Sequence, residues 1–222
     1  MPDTMEAGAT EPRKKRRATP NAVLREDSIH RITEAAFRLF VTRGYAATTL
    51  QQIADDVGMT KGAIFFYFQS KENLLLHLLG VAEQSIVTSF AHQAEASTTS
   101  AVERLVAFFH HGARQGLERP YELLCLIQIS IEFSGSETEI GRRVSAIYDK
   151  IYGLLARIVE DGQRAGELTG AIKPVEFVAM VVAMHDGMML EWHRRGGRID
   201  GRLLVQAVRM TVLNGVLAQE RG

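Results

Sequence analysis

Thr60, Lys61, Gly62 and Ala63 follow Gly58 closely and open the short segment "TKGAIFFYF", whose bulk lies at its far end. Lysine can donate to guanine O6 and N7, threonine to a base edge or a phosphate, and an alanine methyl can touch the methyl of thymine. A helix that begins with such slim residues can bring its N-terminus close to a surface. The chemistry these residue types support is non-covalent reading of a nucleic-acid groove. Two flanking sets can assist. Gln51, with Thr49 before it, opens the preceding segment, within reach of a phosphate or an outer base edge. Ser70, Lys71 and Glu72 open the following one, where free helix amides and a lysine make a phosphate clamp. Tyr67 carries a hydroxyl suited to a phosphate. Phe65 and Phe68 are expected in the core, and Phe66 fits either core or surface.

The charge distribution points the same way. The chain of 222 residues carries 26 Lys/Arg and 26 Asp/Glu, so its net charge excludes nothing. Between Pro12 and Leu75, however, 11 basic residues stand against six acidic ones, a local excess that suits a polyanion. Catalytic and metal chemistry find little support. His110 and His111 are adjacent and would point apart on a helix. His185 and His193 are eight residues apart, and no cysteine or acid completes a ligand set except Asp186, on a different face. No phosphate-binding glycine loop or nucleophile motif is present, so neither an enzyme nor a bound metal or cofactor is expected. The lone Cys125 lies in "LLCLI" and reads as a buried, inert thiol of a reducing compartment. The apolar run "FVAMVVAM" is far short of the ~20 residues that span a bilayer, and no signal peptide precedes it. The expectation is a cytoplasmic protein with no membrane partner.

These residues need elements to hold them. Residues 1–25, rich in Pro, Thr, Ala and charge and including the basic run Arg13 to Arg17, read as a disordered tail. A helix over about 26–42 has Ile29, Ile32, Ala36, Phe37, Leu39 and Phe40 on one face and ends at Gly44. Thr48 or Thr49, with Gln51 or Gln52 three residues on, caps a second helix to about Val57. Gly58 stops it, Thr60 caps a third to about Phe68, and Ser70 caps a long fourth. Further helices are expected at about 101–118, 120–133, 137–165, 174–194 and 201–219, with no strand signature. The fold class is all-α, about nine helices: a three-helix helix-turn-helix domain over 26–86, with the motif at 49–68, and a helical bundle over 87–222. Two short helices around a glycine are also an ordinary structural corner, so the pattern alone leaves both readings open.

The run "AAFRLFVTRGYAATTLQQIADDVGMTKGAIFFYFQSKENLLLHLL" resembles the DNA-binding domain of TetR-type transcriptional regulators. The shared order is "F..F...GY..TT...IA...G...G...", an aromatic pair, and "F.SKE.L", over about sixty residues. The resemblance implies that Thr60, Lys61, Gly62 and Ala63 face the major groove, with Thr49, Gln51, Tyr67 and Lys71 in support. Where the family commonly has a tyrosine that donates to a phosphate, this chain has Phe65; that contact is lost, or Tyr67 takes it over. The tail "RKKRR" can act as an arm on the DNA backbone or in the minor groove, or only as a solubilising tail. The resemblance further implies a homodimer on a palindromic operator in double-stranded DNA, a small-molecule effector, and dimerisation through the last two helices of each subunit.

Apolar stripes on those helices nominate the interface: Phe177, Val181, Met184, Met188 and Trp192 on one, and Leu204, Val208, Thr211, Gly215 and Ala218 on the other. The middle helices are expected to enclose a pocket for a mostly apolar effector, with Phe90, Phe108, Phe109, Tyr121, Gln128, Glu132, Phe133, Tyr148, Tyr152 and Met180 as candidate lining. Gln128 and Glu132 stand out as polar residues that would need a partner if they lie on a buried face. The expected protein is a repressor released by its ligand; a regulator that needs its ligand to bind DNA, as corepressor or activator, fits the same residues.

Overall fold

In the computed structural model, residues 20–95, 100–196 and 198–216 are described. Helix α1 (Pro20–Arg43) is followed by α2 (Leu50–Asp56) and α3 (Lys61–Phe68). Then α4 (Lys71–Ala82), a π-helical segment (Glu83–Thr88) and α5 (Ser89–Glu95) run on as one rod. The chain continues through α6 (Ala101–Glu118), α7 (Pro120–Glu132), α8 (Glu139–Arg164), α9 (Pro174–Arg194) and α10 (Gly201–Val216). Counting the rod once, that is nine helical rods and no β-strand among the described residues, the all-α architecture expected.

Helix α1 begins at Pro20, six residues before the sequence suggested. Proline suits a first helical turn, since its fixed φ is already helical and its missing N–H is not needed there. Leu24, one turn on, is exposed and adds no apolar periodicity to this end of the helix. The basic run Arg13–Arg17 and Ala218 lie outside the described residues.

The first three helices and the start of the rod share one core. Ile32, Phe37 and Phe40 of α1 meet Ile53, Ile64 and Leu74, all essentially inaccessible. Polar clasps set the angles: Arg31 Nη2 donates to the carbonyl of Val57 at 2.6 Å, and Arg38 pairs with Asp56. Two of the basic residues counted above therefore hold α1 to the end of α2.

The rod joins this unit to the rest. Lys71–His92 is long and apolar enough to cross a membrane by length and composition, although its polar residues interrupt any continuous apolar run. Half of that stretch is buried inside the protein, with Leu74, Leu75, Leu78 and Leu79 at 1% exposure or less, so it is a core helix. Behind it, α6, α7, α8 and α9 pack around Leu105, Phe109, Ile127, Leu155 and Phe177. Two glycines make the α6–α9 contact possible. A Cβ on Gly112 would stand 2.0 Å from His185 Nε2, and one on Gly116 2.4 Å from the Met189 methyl.

The stripe nominated on α9 lies largely in this core, whereas Thr211 and Gly215 of the stripe nominated on α10 are exposed. Phe177 and Val181 are fully buried within the protomer, and Met188 is 5% exposed. Met188, Trp192 and Leu204 instead line an apolar void of about 40 Å³ between α6, α9 and α10. A helix packed on both sides has two apolar stripes, and the bulkier one faces inward. The outward face of α9 is Val175, Ala179, Ala183 and Gly187, and that of α10 includes Leu203, Ala207, Met210, Thr211 and Gly215. Met184 and Val208 are half-buried at the seam.

Candidate nucleic-acid interface and effector cleft

The turn between α2 and α3 is built by its caps. Thr49 Oγ1 accepts from Gln52 N at 3.2 Å, while Gln52 Oε1 accepts from Thr49 N at 2.8 Å, a reciprocal capping box. Helix α2 stops as the chain passes through Gly58 at φ +66, and Met59 N closes the turn on Ala54 O at 2.8 Å. Thr60 Oγ1 then accepts from Ala63 N at 3.1 Å and starts α3. The cap uses this hydroxyl as an acceptor, which leaves its proton to donate outward.

Helix α3 buries Ile64 and Phe68 and half-buries Ala63 and Tyr67. The opposite face, Lys61, Gly62, Phe65 and Phe66, is exposed. Phe65, expected in the core, is 56% exposed, because only the Ile64–Phe68 line, four residues apart, faces the core that α3 shares with α2 and α4. Phe66 is 76% exposed. Gly62 has ordinary helical geometry, and a Cβ there would meet nothing nearer than Thr60 Oγ1 at 3.8 Å. Packing does not require this glycine. Gln51 is exposed at the start of α2, its amide donating to Asp55 Oδ1 at 2.7 Å.

Lys71 does not project as a clamp. Its ammonium donates to the carbonyls of Tyr45 (2.8 Å), Thr48 (2.9 Å) and Ala46 (3.3 Å) and lies 4.3 Å from the centre of the Tyr45 ring. Three donors meet three acceptors, so the loop between α1 and α2 consumes its hydrogen-bonding capacity. Ser70 Oγ caps α4 by accepting from Asn73 N at 2.9 Å. Burial first, then the charges of Glu72 and Glu132, raise the pKa of Tyr45, which keeps the phenol neutral.

The candidate effector residues fall into a contiguous group, Phe108 through His185 and Asp186 to Tyr148, and a scattered one of Tyr121, Gln128, Glu132 and Phe133. Phe90, Phe108 and Phe109 form a closed aromatic cluster, with Phe90 and Phe108 centroids 5.3 Å apart and Phe108 4.9 Å from the His185 ring. Tyr148 donates to Asp186 Oδ2 at 3.1 Å, and Asp186 Oδ1 lies 3.1 Å from His185 Nδ1. Burial, with the Asp186 charge, pushes the Tyr148 phenol far up, so it remains a donor. Tyr152 is 40% exposed and Met180 half-buried. Tyr121 lines a separate cleft against α1. Glu132 is exposed and Gln128 half-buried, because the last turn of α7 emerges from the bundle; neither needs a ligand to satisfy it. Phe133 packs edge-on to Tyr45, 5.8 Å between centroids, at the joint with the helix-turn-helix.

A cleft of about 580 Å³ opens between the rod and α6, lined by His77, Gln84, Ser85, Ser89, Gln115 and Arg119 among others. The π segment forms part of its wall, and the Ser85 carbonyl takes two donors, Gln115 Nε2 at 2.9 Å and His111 Nε2 at 3.2 Å. Burial holds His111 below its ordinary pKa, so it is neutral and donates through Nε2. Gln115 Oε1 is buried without a partner. The buried acid of α7 is Glu122, which accepts from Ser85 Oγ and pairs with Arg119 at 3.1 Å. Sequence reading missed this set, although Gly112 and Gly116, four apart in "GARQG", mark the close helix approach behind it. Burial raises the Cys125 thiol to about 12, which keeps it protonated.

Residues 32–78 match the family model for bacterial regulatory proteins of the tetR family. The transcriptional regulator TtgR of Pseudomonas putida is 32% identical over 173 residues, 72% of this chain and 78% of TtgR. The chain belongs to the TetR family. The transcriptional repressor BepR of Brucella suis is 25% identical over 162 residues, 71% of this chain and 77% of BepR. The crystal structure of the MbdR regulator from Azoarcus sp. CIB superposes with a TM-score of 0.79 at 37% identity, covering 85% of this chain and 98% of that one. This TetR-family regulator is a DNA-binding transcriptional regulator whose partners are those of its family: an operator in double-stranded DNA, a second copy of itself and a small-molecule effector.

Proposed function

We propose that the protein is a cytoplasmic repressor that reads a palindromic operator through the exposed N-terminal end of α3 and releases it when a ligand fills the cleft beside the rod. The observation that carries the reading is the capped start of α3, with Thr60, Lys61 and Gly62 all outside the three-helix core. Lys61 donates to bases, the free Thr60 proton to a base or phosphate, and Gly62 allows backbone approach, with Ala63, Thr49, Gln51 and Tyr67 at the edges. Lys71 acts one step back, by holding the loop that sets the motif.

A palindrome needs two copies related by a dyad. The outward faces of α9 and α10, rather than the buried stripes, supply the surface, and Ala179, Ala183 and Gly187 let two helices approach closely. We place residues 26–86 as the reading unit and 87–222 as the effector and dimerisation unit. The rod crosses that division, and its π segment lies in the cleft wall. A ligand there favours one rod position over another and so one spacing of the two reading helices.

The test is a footprint on the DNA upstream of the gene, followed by a metabolite screen for release. A protected, two-fold symmetric site that is lost in Lys61→Ala supports the reading. A purified protein that protects nothing overturns it.

A further inference from the structure

We propose that Phe65 and Phe66 read thymine methyl groups in the major groove, an inference that rests on the DNA-binding reading and specifies what α3 recognises. Among the described residues, large apolar side chains are exposed at scattered places, and only on α3 do two stand side by side in sequence. They share the face of Lys61 and Gly62 and lie away from the core line of Ile64 and Phe68.

Helical side chains lean toward the N-terminus and cover the turn before their own Cα. Phe65 and Phe66 stand one helical turn on from Lys61 and Gly62, and the space over Gly62 holds nothing nearer than Thr60 Oγ1 at 3.8 Å. Phe66 is also braced, its ring edge-on to Tyr67 at 5.4 Å, and Tyr67 in turn lies 6.5 Å from the buried Phe68 ring. A fixed position is what a reading residue needs.

A phenyl ring has no hydrogen-bonding group with which to tell the donor and acceptor patterns of bases apart. The feature of a major-groove base edge that it can recognise is the C5-methyl of thymine. Past Lys61, the exposed face of α3 carries no amide or guanidinium, so much of its discrimination falls to these rings. The operator accordingly carries A·T pairs where they stand, one set in each half-site.

The experiment uses the full-length protein and synthetic duplexes of its footprinted site, with thymines replaced by deoxyuridine in symmetric pairs. Uracil pairs with adenine as thymine does and lacks only the methyl. Each methyl buried against a ring is expected to be worth about fourfold in affinity, so a symmetric pair weakens binding about 15-fold. In Phe65→Ala/Phe66→Ala, whose changes lie on an exposed face, the same positions become insensitive to the replacement. Equal binding of thymine and uracil duplexes at every position overturns the inference while leaving the operator reading intact. So does a double variant that keeps all of the wild-type sensitivity. Absence of any footprint overturns both.

Discussion

The Lys71 ammonium sits 2.8 Å from the carbonyl of Tyr45 and 4.3 Å from the centre of that residue's ring, with Thr48 O a further 2.9 Å partner. A residue whose place at a helix start suggests a phosphate clamp is thus the staple of the α1–α2 loop. Lys71→Met keeps the stem and removes the donors. Charged hydrogen bonds of this kind contribute about 1.5–3 kcal/mol, so a loss of about 2 kcal/mol is expected in thermal or urea unfolding. The salt dependence of operator binding separates the two roles. A phosphate contact would lower the slope of log affinity against log salt by about one, whereas a staple leaves it unchanged. An unchanged slope with lower stability is the expected result.

Gly62 is a second place where stability and function part. No packing requires it, and a glycine in a helix costs about 1 kcal/mol relative to alanine. Gly62→Ala should therefore raise stability by up to about 1 kcal/mol while weakening operator binding, since a methyl now stands between backbone and groove. Unfolding and gel-shift titrations on the same preparation read both. Stability and affinity rising together would remove Gly62 from the interface.

Glu83, at the start of the π segment, accepts from both Arg143 and Lys150 of α8. Burial pushes its carboxyl up, but the hydrogen bonds and charges of Lys150 and Arg143 outweigh this and hold it below the ordinary 4.5. A depressed acid contributes stability above its unfolded pKa and loses it as pH falls through the folded value. Wild-type protein should exceed Glu83→Gln by roughly 1 kcal/mol at pH 7, the partners being partly exposed, and the gap should close below about pH 4. Melting curves from pH 3 to 7 check the sign. A gap that widens in acid would refute the ion-pair account.

Local signals made the helix-turn-helix legible. Thr49 with Gln52, Gly58, Thr60 and Ser70 each fix a helix end through a contact within three residues, and the structure contains each. What the sequence concealed depends on which of two faces a helix turns inward. Phe65 and Phe68 look alike in a list of residues, yet one is exposed and the other buried. Glu132 drew attention as the polar residue in an apolar run, while the buried acid is Glu122, ten residues earlier, held by Ser85 from another helix. Such partners are far apart in the chain, so no spacing rule connects them. The same limit applied to α9, where hydrophobicity marked the core stripe and hid the smaller outward one.

That distinction on α9 gives the sharpest contrast between two substitutions on one helix. Phe177 is fully buried in the protomer, so Phe177→Ala should cost about 3–5 kcal/mol and leave little folded protein to assay. Ala183 is exposed, nearly two turns along and one turn from Ala179 and from Gly187. Ala183→Glu should leave the melting of the isolated protomer near wild type, yet place two carboxylates against each other across a dyad. Like charges in a desolvated contact oppose association strongly. Sedimentation should therefore show a folded monomer that no longer protects a full palindrome. If Ala183→Glu sediments as a dimer with full operator affinity, the second copy docks elsewhere, and the outward face of α9 loses its assigned role.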